Sequence, residues 1–228
     1  MMIQKSCMTA LLLVLVCASV VSAAETKEAH EQGKKLTDAS AVYHELVTAS
    51  DRAIPKELLE DCKCVVVLPG VIKAAAGYGA RHGSGVMTCR TAHGWSAPAF
   101  VNISGGSFGL QLGAESTDLV LFCMNTRGAK SLVNGSGITL GGKASVAAGP
   151  FGRSGEASTN LELKSEIYSY ARSKGLFAGV SVEGAHLGVN TKDITRYYGP
   201  GMTYKHLLFG DALAAMPDEA TTFTKALP

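Results

Sequence analysis

Short apolar runs punctuated by small residues dominate the chain, and they are densest between Gly94 and Asn125. Ala99–Ile103, Phe108–Leu112 and Leu119–Met124 are the runs; Gly105-Gly106 and Glu115-Ser116-Thr117-Asp118 separate them. Runs of this length between Gly, Ser and Asp clusters predict paired strands rather than helices. Leu110 and Leu112 alternate with Gln111 and Gly113, the period of a half-buried strand. Leu119–Met124 is apolar throughout, which predicts a central strand covered on both faces.

The same pattern places the other elements. Leu36, Ala39, Tyr43, Leu46 and Val47 fall near helical spacing, so Lys34–Ser50 is expected to form an amphipathic helix docked on the core. Its polar face is mixed, with Glu31, Asp38 and Glu45 against Lys34 and Lys35, whereas membrane-surface helices are usually more basic. Pro55 suits the first position of a short helix through Glu60. Val65–Leu68 reads as a buried strand stopped by Pro69-Gly70, and Val71–Ala76 as a short helix or strand. Gly77, Gly79, Gly83 and Gly85 read as a glycine-rich connection carrying Arg81 and His82. Arg127–Asn134 is a helix or loop crossing, and Ile138–Ala148 is β-compatible. Leu161–Ala171 alternates with period two, and Lys174-Gly175 offers a hairpin turn into Leu176–Val182. Thr191–Tyr198 and Tyr204–Leu213 are predicted helical, and the tail after Pro217 is expected to be loose.

Several of these blocks, in order, carry a resemblance: IPKELLEDCKCVVVLPGVIKAAAGYG (Ile54–Gly79), GVMTCR (Gly85–Arg90), the Gly94–Asn125 stretch, LGGKASVAAGPFGR (Leu140–Arg153) and SEIYSYARSKGLFAGVSVEG (Ser165–Gly184). Over roughly Lys34–Gly210 the chain resembles the SYLF domain family, and specifically an exported bacterial-type member. The resemblance implies a lipid-binding, membrane-associated module; eukaryotic members bind phosphoinositides and actin. Ala76, Ala80 and Lys143 depart from the family pattern, where a second aromatic, an extra glycine and an acidic residue are common.

Composition narrows the classes. At 228 residues one ordinary domain suffices, and a formal charge of +2 advertises no nucleic-acid surface. Lys5 followed by the apolar run Ala10–Val21 and the small residues Ser22-Ala23-Ala24 reads as a signal peptide over 1–24. The run is short for a membrane-spanning helix, and Val16 before Cys17 fits a lipoprotein site poorly. A flexible 25–33, a single lipid-binding domain over 34–216 and a flexible 217–228 would follow, in a periplasmic or peripheral envelope protein. Cys62, Cys64, Cys89 and Cys123 remain after cleavage. An even count permits disulfides, but the apolar setting of Cys64, Cys89 and Cys123 predicts core thiols.

Three motifs suggest chemistry that their context does not support. Gly105–Gly109 matches G-x-S-x-G around Ser107, but alternation follows it where a hydrolase elbow needs a helix. Gly137–Ala144 nearly matches a P-loop, yet Ala144 cannot supply the magnesium-binding hydroxyl. Cys89, His82 and His93 lack zinc spacing. No catalytic residue, metal or cofactor is expected. The remaining candidates are Lys73, Arg81, Lys143 and Arg153, cations in the matching blocks that suit an anionic lipid headgroup; Arg90 lies beside them.

The expectation is an α+β domain with an antiparallel, curved or barrel-like sheet and a few flanking helices. Its expected partners are membrane lipids, anionic in charge, and no nucleic acid. The competing class is a structural or protein-interaction module of the envelope.

Overall fold

The computed structural model describes residues 28–49, 54–125, 137–142, 144–150, 165–173, 176–210, 213 and 215–228, with backbone alone at 75–78 and 107–112. Five helices flank an eight-stranded sheet within these residues: α1 (28–48), α2 (Lys56–Asp61), α3 (Thr191–Tyr198), α4 (Tyr204–Phe209) and α5 (Asp218–Lys225). The strands are β1 (Cys64–Thr91), β2 (Gly94–Trp95), β3 (Ala99–Cys123), β4 (Ile138–Thr139), β5 (Val146–Ala148), β6 (Ile167–Ser173), β7 (Leu176–Gly179) and β8 (His186–Val189). The sheet curls into a half-barrel. It is mixed rather than wholly antiparallel, because β5 runs parallel to β6.

Two strands dominate. β1 has 28 residues and β3 has 25, against about five or six in an ordinary strand. They pair antiparallel from Cys64↔Cys123 to Met87↔Ala99. On its other edge β3 pairs with β6 over Asp118–Cys123 and with β8 over Val101–Ser104. Leu119–Cys123 is therefore a central strand, and all five residues are buried, as the apolar run predicts.

The predicted breaks are not breaks. Gly105-Gly106 and residues 115–118 lie inside β3, and the glycine-rich 77–85 lies inside β1. Pairing between the two strands supplies the backbone hydrogen bonds that local composition seemed to deny. Pro69-Gly70 shifts the register between Leu68 and Val71 without ending the strand, and a second shift falls between Ala76 and Tyr78.

The long ribbon folds back on itself. A Cβ on Gly83 would stand 2.7 Å from Val71 Cγ2, and one on Gly85 would stand 2.0 Å from the Val67 carbonyl oxygen. Cys64 and Cys89, at the two ends of β1, are 4.0 Å apart at Cα and form a disulfide. The Arg90 N–H donates to the Lys63 carbonyl at 2.7 Å across the same junction. One half of β1 thus lies face to face with the other, bent near its second register shift. The expected core thiols are corrected accordingly: Cys64 and Cys89 are joined, while Cys62 and Cys123 are free and buried.

Helices close the outside. Leu36, Ala39, Tyr43 and Leu46 of α1 are buried, and Tyr43 meets Phe122, which packs edge-on against Tyr170. Phe100 packs on Tyr197 and Tyr198 of α3. The tail read as loose contains α5: Ala220 and Phe223 are buried, and the Trp95 Nε1–H donates to the Pro228 carbonyl at 2.8 Å. The β6–β7 hairpin and the helix at 191–198 form as expected.

Candidate functional site

Doubling β1 over brings its two halves around one hollow. Val71 packs on Gly83. The next inward step on each half is Lys73 and Arg81, and both line a cavity of about 280 Å³. β3 contributes Glu115, opposite Lys73 in register, together with Thr117 and Leu119. The β6–β7 hairpin closes the far wall with Ser173, Leu176 and Ala178.

Burial orders this cavity by depth. Val71, Leu119 and Val182 are buried and form an apolar floor. Lys73 and Arg81 are half-buried and stand above it, while Glu115 and Leu176 are exposed at the rim. Burial pushes the Arg81 guanidinium below its usual pKa, the direction expected when a cation loses water.

Ion pairing separates these two cations from the neighbouring ones. Arg172 reaches Glu45 and Asp118 and lies over the Phe177 ring. Lys35 pairs with buried Asp193 at 2.8 Å, and Arg196 with Glu28 at 2.9 Å. Among the described residues, neither Lys73 nor Arg81 forms an ion pair. Glu115 instead accepts a hydrogen bond from Ser173 Oγ at 2.6 Å. A half-desolvated guanidinium with no counter-ion among the described residues is a ready hydrogen-bond donor to an external anion.

The other sequence candidates divide clearly. Lys143 and Arg153 lie outside the described residues. Arg90 is spent on structure: its guanidinium donates to the Cys62 and Leu59 carbonyls and stacks over Trp95. Ser107 sits within β3 opposite Gly79, not at a strand-to-helix elbow. Strand β4 lies within Gly137–Ala144 and strand β5 follows it, where a P-loop requires a following helix. Cys89 is bonded to Cys64 and is unavailable as a metal ligand.

Glu115, Ser173, Leu176 and Val182 are cavity residues that sequence reasoning did not select. The available signal was the spacing of Gly83 and Gly85. Glycines two apart on one strand face mark a close approach, and doubling the strand there brings Lys73 and Arg81 to one cavity.

The family model described as "Ysc84: Las17-binding protein actin regulator" matches residues 104–228. The chain is similar to LAS seventeen-binding protein 3 of Saccharomyces cerevisiae, at 39% identity over 176 residues, covering 75% of this chain and 38% of that protein. It is also similar to SH3 domain-containing YSC84-like protein 1 of Homo sapiens, at 36% over 162 residues, covering 71% and 47%. Protein YSC84 of Saccharomyces cerevisiae is 35% identical over 189 residues, covering 82% and 39%. The match spans less than half the length of each of these relatives.

Proposed function

Because the chain belongs to the Ysc84 family, the SYLF family its sequence resembles, we propose that it is a non-catalytic binding module for anionic phospholipid in a bacterial-type cell envelope. The observation that carries this reading is the placing of Lys73 and Arg81, half-buried and without an ion pair among the described residues, in one cavity. A cation near an anionic membrane surface contributes on the order of 1 kcal/mol. Two acting together give about 2 kcal/mol, roughly a thirtyfold change in affinity. Residues 1–24 act as a cleaved leader, and the Cys64–Cys89 disulfide suits the oxidising compartment to which such a leader delivers.

Co-sedimentation of the chain from Glu25 onward with anionic and zwitterionic vesicles tests the reading. Anionic vesicles should bind more protein, moderate salt should weaken the binding, and Lys73→Ala/Arg81→Ala should reduce it about thirtyfold. Lys143→Ala/Arg153→Ala, tested as a separate pair, measures the part played by those two cations. Equal binding by wild type and Lys73→Ala/Arg81→Ala would remove the cavity from the lipid site. Intact-mass analysis after expression in a bacterial host tests the leader, with a mature start at Ala24 or Glu25 expected.

A second reading has one observation in its favour. The yeast relative is named for binding Las17, so a protein-interaction module is the alternative. Absence of binding to every vesicle would favour it.

A further inference from the structure

A site for a bilayer surface needs only cations facing outward. The Lys73–Arg81 cavity has more than that. Below the two cations lie Val71, Leu119 and Val182, buried and apolar, at 3%, 3% and 1% exposure. Leu176 remains 61% exposed at the rim, an apolar side chain lining the same hollow. Inward of the two half-buried cations the lining turns to buried hydrocarbon, which is the order of groups along an amphiphile entering head last.

Size and charge narrow the ligand further. A volume of about 280 Å³ lies just under the roughly 300–1,000 Å³ of sites for drug-sized ligands. It accommodates one head and a short length of chain, not the paired chains of a diacyl lipid. Among the described residues that line the cavity, two cations against the Glu115 carboxylate leave a single net positive charge. That balance suits a monoanionic head, which Lys73 holds as a point charge and Arg81 as a planar fork. Thr117, Ser173 and Ser181 add hydroxyls to the wall.

We propose that this cavity binds one monoanionic amphiphile as a monomer, its head between Lys73 and Arg81 and its chain on the Val71–Leu119–Val182 floor. The inference rests on the lipid reading above and narrows it from a membrane surface to a single molecule. A carboxylate head and a phosphodiester head share the required chemistry, and separate probes distinguish them.

Isothermal titration calorimetry with decanoate and with lysophosphatidylglycerol, each below its micelle threshold, provides the test. Acetate serves as head without chain, and decyltrimethylammonium as chain with reversed charge. At least one anionic amphiphile should bind more than tenfold tighter than either control. Tighter decanoate identifies a carboxylate head; tighter lysophosphatidylglycerol identifies a phosphodiester. Lys73→Gln/Arg81→Gln should weaken the binding at least tenfold. Ala178→Trp, introduced at an exposed position of β7, should block the cavity, and Leu176→Ser provides a milder second variant at the rim. The proposal is overturned if acetate binds as well as both anionic amphiphiles, or if both anionic amphiphiles bind the three variants as tightly as wild type. Wild-type protein that sediments with anionic vesicles but binds neither monomer also overturns it, and leaves the membrane reading standing. Failure to bind either monomers or vesicles removes both.

Discussion

The Val67 carbonyl oxygen occupies the space that a Cβ on Gly85 would need, 2.0 Å away. Both residues belong to β1, so the contact records one strand lying on itself. Main-chain atoms cannot turn aside as a side chain can. Gly85→Ala must therefore push the two halves of β1 apart. The expected loss is about 1–3 kcal/mol, the range for overpacked cores. Gly106→Ala is the control, because its Cβ would meet nothing closer than the Gly79 carbonyl at 3.9 Å. Urea denaturation of both variants checks the contrast, and equal losses would contradict the doubled strand.

At the ends of the same strand, the Cys64–Cys89 disulfide closes a loop of sequence separation 25. Chain-entropy arguments give such a closure about 3 kcal/mol. Cys64→Ala/Cys89→Ala should lose roughly that much stability. Alkylation of the chain from Glu25 onward, unfolded without reductant, should label Cys62 and Cys123 alone. Labelling of all four cysteines would refute the pairing.

How much of this was legible depended on the range of the interactions. Leu119–Met124, the antiparallel β6–β7 pair and the α1 stripe were readable because their signals are local periodicities and turn residues. The doubled ribbon was not. Gly105-Gly106 and Gly77–Gly85 look like punctuation when each residue is judged against its neighbours in sequence. Inside the ribbon the partner strand satisfies the backbone, and the missing side chains of Gly83 and Gly85 admit the other half of β1. The Cys64–Cys89 pair was hidden for the same reason, since only folding β1 back joins its ends. α5 was missed because Ala220, Phe223 and Leu227 are a thin stripe among threonines and charges. At the site, Lys73 and Arg81 were chosen from the matching blocks, but their meeting and the apolar floor came from topology.

The two free thiols make stability sensitive to alkali. Burial raises the Cys62 thiol to about 11, partly offset by Arg90. Burial, with a smaller contribution from Cys62, raises Cys123 to about 12. Both are held above the ordinary value of 9.0. Between pH 9 and 11 the unfolded chain gives up these protons while the folded chain retains them, so folding stability must fall as pH rises. Below pH 9 both states keep the protons and no loss is expected. The slope approaches about 1.4 kcal/mol per pH unit for each thiol. Denaturation midpoints should hold between pH 7 and 8 and decline from pH 9 to 10 and 11, and Cys62→Ala/Cys123→Ala should decline less steeply. Parallel declines would show that the thiols are not responsible.

The first helix is the natural competitor for membrane contact, and magnitudes argue against it. To lie on a bilayer, α1 would have to withdraw Leu36, Tyr43 and Leu46, each no more than 1% exposed. At about 1.5–3 kcal/mol for each large apolar side chain, that withdrawal costs on the order of 5 kcal/mol or more. Its cations offer little in return. Lys34 is engaged by Asp38 at 2.7 Å and Lys35 by Asp193, and a lysine at an anionic surface contributes only about 1 kcal/mol. The folded body should therefore bind lipid with α1 still docked. Lys34→Ala is expected to leave co-sedimentation with anionic vesicles within about twofold of wild type, while Leu36→Ala lowers stability by about 2–5 kcal/mol. A synthetic peptide of residues 28–49 should bind the same vesicles more weakly than the whole chain. If the peptide binds as tightly, or if Lys34→Ala abolishes binding, the helix and not the Lys73–Arg81 cavity makes the membrane contact.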